Sequence, residues 1–91
     1  MQMTISVKIG EEEVISKPFD FEAMCLIDDA RYGGEKSGPL NFCREVVPYL
    51  FDGTKATEKE LKNLPPDVMA GLCNKVWNIY VDVMNKAAKN G

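Results

Sequence analysis

The sequence predicts an α+β fold: an N-terminal two-stranded antiparallel β-hairpin followed by three to four helices, mostly α-helical overall. Three observations carry this. Residues 3–9 alternate apolar and polar side chains with a period of two. From residue 20 onward the apolar residues instead recur at three- and four-residue spacing. Between these segments stand Gly10-Glu11, Pro18, Gly33-Gly34, Asp52-Gly53 and Pro65-Pro66, the residue pairs of turns and helix ends. Ninety-one residues leave room for one domain, 1–91, with the hairpin at 3–17 and the helical part at 20–89.

In the first strand Met3, Ile5, Val7 and Ile9 alternate with Thr4, Ser6 and Lys8, the pattern of a half-buried strand. Gly10-Glu11 makes a tight turn, and residues 12–17 return as the second strand. Val14 and Ile15 are adjacent there, so the apolar pattern leaves the pairing register open. A lone hairpin is marginal in water. Its apolar face therefore needs a cover of helices, or its edge a partner.

Pro18-Phe19 ends the hairpin. Asp20 is a good N-cap, and Phe19 with Met24 suits a hydrophobic staple across it. A helix is predicted over 21–31, with Phe21, Met24, Cys25, Ile27 and Leu26 as a broad apolar face. Gly33-Gly34 stops it. After a polar, glycine-rich connector, Ser37 and Pro39 suit the start of a second helix over 40–50. Leu40, Cys43, Val46, Val47 and Leu50 supply its apolar face, and Pro48 predicts a kink or an early end. Thr57 with Glu60 is a capping-box pair that starts a short helix over 58–63.

The last helix is predicted over 66–88, opened by Pro65-Pro66 and Asp67. Met69, Leu72, Cys73, Val76, Trp77, Tyr80, Val83, Met84 and Ala87 form its stripe. At 1.5 Å per residue it runs roughly 34 Å, longer than a domain of this size requires for its own core. The part from Tyr80 onward is thereby a candidate to project and meet another subunit. Trp77 and Tyr80 are neighbours on one side of this helix; core packing accounts for them first, and aromatic side chains also serve as contact anchors. With Val83 and Met84 they form the candidate interaction surface. Ile5 and Val7 of the hairpin are the second candidate group.

Composition excludes several chemistries. There is no histidine, so neither histidine acid–base catalysis nor histidine metal ligation is open to the chain. Cys25, Cys43 and Cys73 are an odd, widely spaced set without a CxxC pair, and are read as buried thiols in a reducing cytosol. Asp28 and Asp29 are adjacent and diverge on a helix, which makes a poor acid–base couple. The Glu11-Glu12-Glu13 run reads as a solvated turn. Gly33-Gly34 lacks the spacing of a phosphate loop. No catalytic, metal or cofactor residue is assigned, and the chain is read as a non-enzyme. The net charge of −3, with Lys55, Lys59 and Lys62 interleaved with Glu58 and Glu60, disfavours nucleic acid as a partner. No signal peptide and no membrane span are expected.

The order strand, Gly-Glu turn, strand, Pro18-Phe19-Asp20, helix, long amphipathic helices resembles the small tail assembly chaperones of long-tailed bacteriophages and prophages. The likeness is clearest in MTISVKIGEEEVISKPFDFEAMCLIDDA, Met3 to Ala30. Over the remainder only length and helical character match. The resemblance implies a cytoplasmic protein of the bacterial host cell that binds the tape-measure protein, helps recruit tail-tube subunits and self-associates. It brings no catalytic residues and no cofactor. The alternative is a small phage or bacterial regulatory domain that binds DNA or an unrelated protein.

Overall fold

The structure is a computed structural model that describes residues 3–32 and 41–90. Its described elements follow the predicted order: β1 (Ser6–Ile9), β2 (Glu12–Ile15), α1 (Phe21–Tyr32), α2 (Asn41–Leu50), α3 (Glu58–Lys62) and α4 (Pro66–Asn90). The two strands form a two-stranded antiparallel sheet. The expected helix stop at Gly33-Gly34, the connector and the Ser37–Leu40 start of α2 lie outside the described residues.

The hairpin register resolves the Val14–Ile15 ambiguity. Val7 pairs with Val14 and Ser6 with Ile15. Val14 therefore shares the inner face with Val7 and is buried, while Ile15 points outward and is 60% exposed. Gly10 closes the turn at φ +63°, and Glu11 keeps a negative φ, the pattern of a two-residue turn with glycine first. Pairing extends past the strands, because Ser16 N–H donates to the Ile5 carbonyl at 2.8 Å. Ser16 is a buried polar residue on the inner face, and its hydroxyl is satisfied twice. It accepts from Ile5 N–H at 2.9 Å and donates to the Lys17 carbonyl at 2.8 Å.

Asp20 caps α1 as expected: its Oδ1 accepts from Ala23 N–H at 2.9 Å. The buried face of α1 differs from the predicted one. Ala23 and Ile27 are completely buried, whereas Phe21 is 80% exposed. Ala23, Ile27 and Ala30 stand at i, i+4 and i+7, one stripe of a helix. Phe21 is two residues from Ala23, about 200° round the helix, and so faces away. Alanine in the stripe lets α1 pack on α2, the most extensive helix pairing among the described residues.

The hub is α2, which packs on α1, α3 and α4. Phe42, Cys43, Val46, Val47 and Leu50 are all buried. The helix continues through Pro48 to Leu50 rather than ending early. Pro48 withholds only one N–H, near the end of the helix, and the Phe51 N–H still reaches the Val47 carbonyl at 3.1 Å. Burial of Val47, Leu50 and Phe51 on the same turn offsets that loss.

The turn after α2 places Gly53 at φ +80°. Thr57 then forms the predicted capping box with Glu60 and starts α3, whose Leu61 is buried. The Pro65 carbonyl accepts the first bond of α4 from Met69 N–H at 3.0 Å. At 25 residues α4 is continuous and about 37 Å long. Leu72, Cys73, Val76 and Tyr80 form its buried stripe. Among the described residues no helix is long and apolar enough to cross a membrane.

Candidate functional site

The predicted interaction residues do not share one surface. Ile5 and Val7 lie on the inner face of the hairpin, each only 4% exposed, in the core of their own chain. Covering that face within one chain satisfies what an isolated hairpin lacks. Tyr80 is also core, at 6% exposure, and its hydroxyl donates to Asp28 Oδ1 on α1 over a long 3.4 Å. Trp77 is half-buried. Its ring stacks on Tyr80 at 5.3 Å between centroids and leans on Phe42 at 6.0 Å. These distances are those of favourable aromatic pairs. Trp77 and Tyr80 thus weld α4 to α1 and α2.

Beyond Tyr80 the cover thins. Val83 is half-buried, Met84 is 48% exposed, and residues 85–88 are exposed. The projecting part of α4 accordingly begins near Val83, one turn later than the predicted start at Tyr80. Its apolar content is the flank of Val83 with Met84 and Ala87, spaced three and four apart on one side. The Lys86–Asp82 pair at 3.2 Å stands on the same turns and is solvent-exposed.

A second surface was not legible in the sequence. A groove of about 730 Å³ lies among α2, α3 and the first turns of α4. Cys43, Leu61 and Cys73, all buried, form its floor; Pro48, Met69 and Ala70 line its sides. Arg44, Glu45, Glu58 and Lys62 stand exposed around its rim. Lys62 and Glu58 pair there at 3.0 Å along α3. An apolar trough edged with charges of both signs fits an amphipathic helix or a similar apolar segment with polar flanks. Its volume is in the range of small-ligand clefts.

The cysteines at its floor correct the reading of three free thiols. Cys43 and Cys73 are joined by a disulfide, with Cα atoms 5.8 Å apart. Each was correctly placed on the apolar face of its helix. Those two faces meet, and that brings the sulfurs together across thirty residues of chain. Cys25, half-buried on α1, is the free cysteine among the described residues. Desolvation, and then the carboxylates of Glu22, Asp29 and Asp28, push its thiol upward.

The other polar constellation ties elements together. Asp20 accepts from the Tyr49 hydroxyl at 2.6 Å as well as from Ala23 N–H. The Lys17 ammonium lies 4.1 Å from the centroid of the Tyr49 ring, and Lys17 N–H donates to the Leu50 carbonyl at 2.8 Å. This cluster fastens the hairpin exit to the end of α2. At the hairpin turn, Glu12 pairs with Lys55 at 3.2 Å, both side chains exposed. Among the described residues no group of three metal-ligating side chains converges. Compared with family models, curated proteins and solved structures, the chain matches none of them.

Proposed function

We propose that the chain is a non-enzymatic binding protein, a tail assembly chaperone that shields an apolar helical stretch of the tape-measure protein and assists tail-tube assembly. The observation that carries this reading is the groove among α2, α3 and α4, with its apolar floor and charged rim. A helix laid in such a trough buries its apolar side against Leu61 and Met69 and keeps its polar side wet. The resemblance over Met3 to Ala30 supports the choice of client. The exposed Met84 flank of α4 offers a second, adaptable contact for a tail-tube subunit or another copy.

Co-expression with the tape-measure protein tests the proposal. The client is expected in the soluble fraction with the intact chain and in the pellet without it. Ala70→Arg fills the groove from an exposed position and is expected to return the client to the pellet while the variant itself stays folded by circular dichroism. A client that is equally soluble alone, or that ignores Ala70→Arg, rejects the reading. Light scattering across a concentration series tests self-association, and a strict monomer throughout removes that part.

A further inference from the structure

We propose that Cys43 and Cys73 are a reversible dithiol–disulfide couple, a redox-set latch between α2 and α4. Their Cα separation of 5.8 Å lies within the span a disulfide bridges without backbone movement. Both residues are buried, at 3% and 4% exposure, yet both line the groove. The groove is therefore the side from which a small thiol or disulfide would reach them. The bond closes a loop with a sequence separation of 30, which holds most of α2, all of α3 and the first turns of α4. Breaking it returns that loop's conformational freedom to the unfolded chain. It also removes the covalent cross-link between α2 and α4. Cys25 lies on α1, outside the closed loop, and remains a thiol in both states.

The exchange balances with a low-molecular-weight disulfide such as oxidised glutathione. The thiolate of one cysteine attacks a sulfur of the small disulfide, forming a mixed disulfide and releasing one small thiolate. The thiolate of the other cysteine then attacks the protein-bound sulfur, forming Cys43–Cys73 and releasing the second. Two protein thiols are oxidised, one small disulfide is reduced to two thiols, and the two protons pass from the protein thiols to the released thiolates. In a strongly reducing compartment the reverse reaction opens the latch. None of this depends on what fills the groove.

The test equilibrates the full chain in buffers of graded reduced-to-oxidised glutathione, approached from both directions, and quenches exchange with acid. The chain is then unfolded and alkylated, and modified cysteines are counted by intact mass and peptide mapping. One modified cysteine, Cys25, is expected at the oxidising end and all three at the reducing end, on one curve from either direction. The oxidised form is expected to melt higher by at least roughly 10 °C. Cys25→Ala should leave the curve unchanged, and Cys43→Ala should abolish the difference in melting. Three modified cysteines in every buffer overturn the proposal. So does a bond that native-state reduction never opens, a bond that recruits Cys25, or a melting temperature indifferent to the buffer. The titration of the unmutated chain decides the matter even where Cys43→Ala fails to fold.

Discussion

The Tyr49 hydroxyl donates a 2.6 Å hydrogen bond to Asp20 Oδ2, so the residue that caps α1 is also held by the last turn of α2. One carboxylate thereby fixes both the entry angle of α1 and its seat on α2. Replacing Asp20 with Ala removes the cap and the link together and is expected to cost about 1 kcal/mol or somewhat more. Asn caps nearly as well as Asp, so Asp20→Asn should recover most of the loss. Denaturant midpoints of the two variants, at unchanged slope, measure this.

The same pair sets the pH profile. The Tyr49 hydrogen bond, followed by the Ala23 N–H, lowers the Asp20 pKa from its ordinary 3.8. A depressed carboxylate stabilises the fold above its unfolded value, and that contribution is lost as pH falls through the folded value. Tyr49 moves the opposite way. Its hydrogen bond to Asp20, and then desolvation, raise it from 10.0 to about 12. The contribution of Tyr49 is complete below pH 10 and is lost as pH rises from there through about 12. Melting temperature against pH should therefore fall at both extremes. Tyr49→Phe should reduce the alkaline fall and soften the acid one.

Two of the large apolar residues of α1, Ile27 and Phe21, should behave oppositely. Ile27 is completely buried, and Ile27→Ala leaves a cavity expected to cost about 2 to 5 kcal/mol. Phe21 is 80% exposed, and Phe21→Ala should change stability by less than about 0.5 kcal/mol. Equal losses in urea denaturation would mean that the face assigned to α1 is wrong.

Two glycines offer a contrast of sign. Gly71 lies within α4 with nothing inside 4 Å of an added Cβ, so Gly71→Ala should stabilise by about 0.5 to 1 kcal/mol. Gly53 has equal space but sits at φ +80°, where Gly53→Ala should destabilise by about 1 to 2 kcal/mol. Thermal melts of the two single variants check both signs.

Local chemistry was legible in the residues themselves. The Asp20 cap, the Thr57–Glu60 box, the Gly10 turn and the successive members of the α2 stripe each rest on residues within four positions of one another, and short-range interactions decide them. The candidate site was legible only in part. Trp77, Tyr80, Val83 and Met84 were marked by helical spacing, but spacing is blind to which turn of a long helix meets its neighbours. The structure buries Tyr80 and exposes Met84. The groove was hidden because Arg44, Leu61 and Met69 come from three elements with no common period.

By itself, then, the sequence determined the order and kind of every described element, because propensity, capping and hydrophobic period act within a turn or two. Tertiary structure alone decided which of Val14 and Ile15 faces inward, that Ala23 rather than Phe21 meets α2, that α2 survives Pro48, and that Cys43 meets Cys73. Each is a choice between locally equivalent faces or partners. Such choices are settled only when distant segments compete to bury the same apolar area.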